Sequence, residues 1–304
     1  MISRCSIAFR FSKVFLQAFA VLIYLSSVAS GTQSAIQGSN ERAVVAAVKL
    51  ENFKRVEFID RRFGWAADDH NLWRTADGGK SWQRIRSACR RQVQGWPSGY
   101  QDVDNYIDRI QLLNRDTGWV LESSSLFGTT NGGRTWKKFE RDRLDIRSFR
   151  FVSESNGFFV ATRLHYGSVI DCWREAEIYR TTDSGATWRK VSLKRDLKWI
   201  WLLDIWTSSP TDIWAVGDVT LNSADGGKTW KEIEIKPLYG RASRVTFVDR
   251  RTGWIEANTS VVTKDGGKTW LAISNDQELD RLHKSAIRGA ENNRLWQNKK
   301  STTR

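Results

Sequence analysis

An eleven-residue stretch, SADGGKTWKEI from Ser223 to Ile233, recurs in near copy four more times and restricts the chain to a repeat architecture. The other copies are TADGGKSWQRI (Thr75 to Ile85), TTNGGRTWKKF (Thr129 to Phe139), TTDSGATWRKV (Thr181 to Val191) and TKDGGKTWLAI (Thr263 to Ile273). Each carries an Asp or Asn, namely Asp77, Asn131, Asp183, Asp225 and Asp265, whose side chain can fold back onto nearby backbone N–H groups. A following Gly supplies positive φ without steric penalty, so the segment reads as a tight turn. Trp82, Trp136, Trp188, Trp230 and Trp270 then begin a strand running back from that turn. A large ring at a fixed offset is what neighbouring repeats need to pack together, so these five belong to the core rather than to a site.

A second signal precedes each turn: FIDRRFGW (Phe58 to Trp65), LLNRDTGW (Leu112 to Trp119), FVSESNGF (Phe151 to Phe158), a looser version from Ile205 to Trp214, and FVDRRTGW (Phe247 to Trp254). It reads as strand, polar turn, strand. Every unit then holds about four short strands, and such units at a period of roughly 40 to 50 residues mark an all-β fold, a β-propeller. After Ile273 the chain holds only a partial unit, ending near Trp296, and the apolar stretch Arg42 to Lys49 has no unit of its own. Together they would complete a last sheet and close the ring, giving about six blades, with seven the alternative.

The turn motif resembles the Asp box, or BNR repeat, of sialidase-like propellers. The fuller unit looks most like the Ycf48/Hcf136-type photosystem II assembly and stability factors and their bacterial relatives, over roughly residues 50 to 275. The boxes are structural turns in such proteins and say little about function. The resemblance implies a non-catalytic propeller binding a protein partner: a membrane protein, or its exported segment, in assembly or stabilisation of a membrane complex. It also implies no cofactor, and the reading includes a monomer.

At the N-terminus, Arg4, Arg10 and Lys13 precede an apolar run from Val14 to Leu25 and the small residues Ser26 to Ser30. Residues 1–30 therefore read as a secretory signal, with an uncleaved anchor as the alternative. The domain division that follows is a signal over 1–30, one propeller over 31–297 closed by both termini, and a flexible tail over 298–304. The expected location is exported: periplasmic or extracellular, or the thylakoid lumen in a photosynthetic host. The formal net charge of +14 falls to +11 without the signal. Such a balance favours acidic partners, anionic membrane surfaces or polyanions. No basic run is dense enough for a nucleic-acid arm, and export argues against nucleic acid as partner.

Successive turn tryptophans lie 54, 52, 42 and 40 residues apart, so the first two intervals carry insertions. These insertions, Ile85 to about Asn105 and Arg163 to Glu177, hold Cys89 and Cys172. Alternating strand direction puts both on the face opposite the Asp turns, which permits a Cys89–Cys172 disulfide worth roughly 2 to 4 kcal/mol if unstrained. Two unpaired thiols are the alternative. The same loops hold Arg86, Arg90, Arg91, Trp96, Tyr100, Tyr106, His165, Tyr166 and Trp173. Arginine and aromatic side chains on long loops of a rigid scaffold make this the expected partner-binding face. Asp68, Asp69 and His70 on that face read as a polar hairpin turn. Trp199, Trp201 and Trp206 are placed on the first strand of the fourth unit and read as core, with a binding platform as the alternative.

Catalysis finds little support. The sialidases that share the boxes add an arginine triad, with one arginine in Arg-Ile-Pro or Arg-Leu-Pro, a Tyr–Glu pair and an acid Asp. Pro97, Pro210 and Pro237 follow Trp96, Ser209 and Lys236, so that signature is absent, although Arg, Tyr and Glu are individually available. Glu122 and Glu256 on second strands are the carboxylates to examine, since glycoside hydrolysis needs two. His70, His165 and His283 show no zinc spacing, so no metal is expected. A glycosidase or glycan-binding propeller of the sialidase superfamily stands as the alternative function.

Overall fold

The computed structural model describes residues 44–46 and most of 52–284; residues 89–90, 95–99, 104, 140, 142, 167–171, 195, 274–276, 278 and 283 lie outside the description. Among the described residues stand five antiparallel sheets, one for each Asp or Asn turn. The first blade is β2 (Arg55–Phe58), β3 (Gly64–Ala67), β4 (Asn71–Thr75) and β5 (Ser81–Ser87), with β1 (Val44–Ala46) at its edge. A separate hairpin of β6 (Arg91–Gln94) and β7 (Tyr100–Val103) follows. The second blade is β8 (Ile107–Leu112), β9 (Gly118–Glu122), β10 (Ser125–Thr129) and β11 (Lys137–Phe139). The third is β12 (Leu144–Phe151), β13 (Gly157–Tyr166), β14 (Cys172–Thr181) and β15 (Arg189–Lys190). The fourth is β16 (Leu202–Thr207), β17 (Ile213–Gly217), β18 (Thr220–Ser223) and β19 (Lys231–Glu232). The fifth is β20 (Arg244–Phe247), β21 (Gly253–Glu256), β22 (Val261–Thr263) and β23 (Leu271–Ala272).

The turns form as their residue types require. Asp77 Oδ1 accepts from Thr75 Oγ1 (2.8 Å) and Ser81 N (3.0 Å), and Ser81 Oγ donates to Oδ2 (2.5 Å). Asn131 keeps the geometry without a charge: its Oδ1 accepts from Thr129 Oγ1 (3.0 Å) and Thr135 N (2.9 Å). In the second to fifth turns the last glycine also makes room for the preceding blade. A Cβ on Gly185 would lie 2.1 Å from the Trp119 ring, and one on Gly267 2.4 Å from that of Trp214.

Those rings are the joints of the core. Trp119 stacks on Phe151 (5.4 Å) and meets Trp188 edge-on (5.8 Å); Trp214 does the same with Phe247 (5.6 Å) and Trp270 (5.6 Å). A second-strand ring of one blade thus seats between the first-strand Phe and the turn Trp of the next. Each such indole or phenyl buries on the order of 150–250 Å², the main source of cohesion between units that cannot bury a face alone.

The N-terminal strand departs from expectation. β1 pairs with β5 of the first blade, Val45 opposite Trp82, rather than completing a last sheet. The reason lies in β5, whose seven residues offer an outer edge, whereas β15, β19 and β23 have two each. An apolar Val-Val-Ala strand covers that edge and satisfies its backbone groups. Beyond β23, residues 277, 279–282 and 284 are helical, and the partial unit around Trp296 lies outside the described residues, as do the signal segment and the tail.

Candidate binding face

First strands begin, and second strands end, on the face opposite the Asp turns. There the third blade stands out: β13 and β14 run ten residues each, against four or five for β9, β10, β17 and β18. At about 3.3 Å per residue the extra five carry this hairpin roughly 17 Å past its neighbours.

The segment entering the fourth blade is bonded along that hairpin. Ala176 N donates to Leu197 O (3.2 Å), Trp199 N donates to Arg174 O (2.7 Å), and Glu175 pairs with Lys198 as an isolated bridge. Pinned this way, Trp199 takes φ 62° and leaves its side chain outside, with the residue 58% exposed. Left-handed backbone at a bulky residue is uncommon, and it persists only where surrounding structure enforces it.

Around Trp199 the side chains alternate between rings and cations. His165 stacks on Trp173 at 3.7 Å and 3°, and Lys198 Nζ lies 5.0 Å from the Trp173 ring. The Arg174 guanidinium sits 4.6 Å from Trp201 and 6.0 Å from Trp199. Arg147 (4.8 Å) and Arg241 (6.0 Å) also approach Trp201. Arg147 pairs with Asp145, and Arg241 Nε donates to Asp218 (2.5 Å). Arg174 Nε and Arg147 Nε are buried and have no hydrogen-bond acceptor among the described residues.

Beside this patch opens the axis of the ring. The same position on each first strand bears Arg55, Arg109, Ser148, Asp204 and Arg244, each three residues before the residue that pairs with the start of the second strand. Asp204 ties them. Its Oδ1 accepts from Arg109 Nη2 (2.7 Å) and Ser148 Oγ (2.6 Å), and its Oδ2 from Val245 N (3.1 Å). Burial lowers the pKa of Arg55 and raises that of Asp108, which face each other at this mouth.

The residues expected on this face divide. His165 and Trp173 are there, on the projecting hairpin, whose backbone also carries Tyr166 and Cys172. Arg91 and Tyr100 lie on the β6–β7 hairpin, side chains not described; Cys89, Arg90 and Trp96 lie outside the described residues, and so does the disulfide. Arg86 is a correction. It belongs to β5 rather than to a loop, and its Nε and Nη2 donate to Glu122 Oε2 (2.9 and 2.7 Å) with the guanidinium over Phe127 (3.8 Å). Arg86 therefore ties the first blade to the second. A second correction concerns Trp199 and Trp201, which precede β16 in a loop; Trp199 is exposed, and only Trp206 lies on the strand, partly buried under Arg150 (4.0 Å). Asp68 caps its own turn, accepting from His70 N (2.8 Å) and Asn71 N (2.7 Å).

Sequence reading missed Arg147, Arg174, Lys198 and Arg241, because four separate segments supply them. The one local signal is Lys198-Trp-Ile-Trp201, where a cation abuts two alternating indoles.

No protein-family model matches the chain, and no curated protein does. Solved structures do. YCF48 bound to D1 peptide is 16% identical over 76% of this chain and 85% of that chain, with a TM-score of 0.36. YCF48 from Cyanidioschyzon merolae is 17% identical over 72% of this chain and 84% of that chain, TM-score 0.41. The GH74 xyloglucanase from Xanthomonas campestris is 14% identical over 69% of this chain and 37% of that chain, TM-score 0.51. The chain is a β-propeller.

Two carboxylates considered for hydrolysis have structural employment in this propeller. Glu122 is buried against Arg86, and Glu256 accepts from Trp254 Nε1 (3.4 Å). A Tyr–Glu pair with arginines around it does form, Tyr179 donating to Glu177 (2.9 Å), but the Tyr179 ring is fully buried and stacked on Phe159 (4.7 Å). Burial and the neighbouring carboxylate raise the Tyr179 pKa, the reverse of what a phenolate nucleophile needs. No group of three or more potential metal ligands gathers among the described residues.

Proposed function

We propose that this propeller is an exported, non-catalytic binding protein that holds an acidic polypeptide segment on the face bearing Trp199. The observation that carries the reading is Trp199 itself, an indole held outside on left-handed backbone beside Arg174, whose buried Nε has no acceptor among the described residues. A guanidinium packed against an indole can still offer its outer N–H groups to a carboxylate. With the ring faces of Trp173 and Trp201 already approached by cations, what remains to be recognised here is negative charge rather than a sugar face. The net positive charge, +14 for the whole chain and +11 without the signal, acts in the same direction at longer range.

The partner class we favour is an exported segment of a membrane protein, in assembly or stabilisation of a membrane complex. One of the YCF48 structures has a D1 peptide bound. That is a property of YCF48; for this chain the partner class is part of the proposal.

The test is fluorescence anisotropy with labelled peptides tiling the exported segments of the host's envelope membrane proteins, at two salt concentrations. Acidic peptides should bind at low salt, weaken as screening rises, and lose affinity with Trp199→Ala or Arg174→Ala. Equal binding of neutral and acidic peptides, or binding indifferent to both substitutions, would overturn the reading. Retention on a glycan array that depends on Trp199 would favour the glycan-binding alternative instead.

A further inference from the structure

Four guanidiniums gather around the axis of the ring, and among the described residues only Arg109 has a carboxylate partner, Asp204 (2.7 Å). Arg55 of the first blade and Arg244 of the fifth hold the same strand position as Arg109, at the mouth. Arg150 stands on β12 two residues beyond Ser148, on the same side of the strand and about 7 Å deeper. Arg55, Arg150 and Arg244 make no hydrogen bond or ion pair among the described residues, and Arg55 Nη1 and Arg150 Nε are also shut off from solvent. Arg150 lies 4.0 Å over the Trp206 ring, which supports its plane without offering an oxygen.

The nearby carboxylates are engaged elsewhere. Glu57 Oε2 accepts from Leu112 N (2.9 Å), Asp108 Oδ2 from Ser123 N (3.0 Å), and Asp204 from Arg109, Ser148 and Val245. They act on the other arginines only at a distance. Burial lowers the pKa of Arg150 against the pull of Glu57 and Asp204, and that of Arg55 against the pull of Asp108, while Arg109 repels both. Enclosing a cation without an acceptor is among the costlier arrangements a fold can hold. Guanidiniums from three blades around one axis call for oxygens presented in several directions, which a tetrahedral oxyanion supplies and a planar carboxylate, with two, supplies less fully.

We propose that the axis of this propeller is a binding site for a tetrahedral oxyanion, phosphate or sulfate or an ester of either, held by Arg150 within the ring and by Arg55 and Arg244 at the mouth. The site opens on the same face as Trp199 but uses none of the residues of that patch, and it stands whether or not a polypeptide binds there.

Titration calorimetry at fixed low ionic strength with inorganic phosphate, sulfate, glycerol 3-phosphate and acetate would test it. Saturable binding of at least one tetrahedral probe, tighter than acetate, is expected, and glycerol 3-phosphate binding more tightly than phosphate would identify an ester as the natural ligand. Arg150→Gln should weaken that binding at least tenfold, with the fold checked by circular dichroism. Arg244→Gln alters an exposed side chain and leaves the interior intact, and it should weaken binding several-fold. The outer-strand substitution Lys231→Ala should leave it unchanged. The anion that binds should also raise the melting temperature of the wild type and not of Arg150→Gln. Absence of saturable binding for every tetrahedral probe would overturn the proposal, as would acetate binding as tightly as the best of them, or affinity unaltered in both Arg150→Gln and Arg244→Gln.

Discussion

Arg109 of the second blade donates to Asp204 of the fourth at 2.7 Å, a bond spanning 95 residues that crosses the mouth of the axis. Asp204 is 3% exposed and also holds Ser148 of the third blade and Val245 of the fifth, so one carboxylate joins four of the five blades. Removing it strands a guanidinium, a hydroxyl and a backbone N–H together. Asp204→Ala should lower unfolding free energy by roughly 3 to 5 kcal/mol, measured by urea denaturation, and Asp204→Asn by less, because an amide oxygen still accepts.

The tie between Arg86 and Glu122 makes a related prediction. Both side chains are largely buried, at 12% and 2% exposure, and Arg86 also covers Phe127. Arg86→Ala should cost about 3 kcal/mol by taking from the buried Glu122 carboxylate the guanidinium that donates to it twice. A double-mutant cycle with Glu122→Gln should recover part of that loss, which separates the ion pair from the packing on Phe127. Binding experiments are accordingly better directed at Trp199 and Arg174 than at Arg86.

How these contacts relate to the sequence is instructive. The four-strand unit and the five turns were legible because a side chain two to four residues from its partner closes them, as Asp77 does with Thr75 and Ser81. The buried turn tryptophans followed from the same fixed offset. Legibility ended where partners come from different blades: Arg86 read as a loop residue because nothing near it names Glu122. Trp199 read as core because alternation assumes a strand, and the strand starts later, at Leu202. Val44–Ala46 was recognisable as an apolar strand, but only the unusual length of β5 decides which edge it covers.

Acid should loosen the turns in a defined window. Hydrogen bonds from Thr187 and Thr269, side-chain hydroxyl first and backbone N–H second, lower Asp183 and Asp265 from 3.8 to about 2. Asp77 and Asp225 are depressed still further by Ser81 and Thr229 in the same way. A carboxyl whose folded pKa lies below its unfolded value adds stability that is complete above the unfolded value and fades as pH falls through the folded one. Melting temperature should therefore drop between about pH 5 and pH 2. Asn131 shows that an amide can hold the turn without titrating. Asp265→Asn should flatten the slope of that drop, and a slope identical to wild type would contradict the assignment.

Trp199 offers the sharpest separation of stability from binding. Its φ of 62° is a conformation that glycine adopts without strain and an indole does not. Trp199→Gly removes that strain but gains chain entropy when unfolded, so the two effects oppose each other and stability should stay within about 1 kcal/mol of wild type. The indole contributes little burial in return, being exposed, and its cationic neighbour Arg174 keeps Trp201 as a support at 4.6 Å. Affinity for acidic peptides should nevertheless fall at least tenfold, because the exposed ring is what a bound segment would cover. Thermal melts and anisotropy titrations on the same preparation check both halves. Loss of stability without loss of affinity would mean that Trp199 is held outside for the fold and not for a partner.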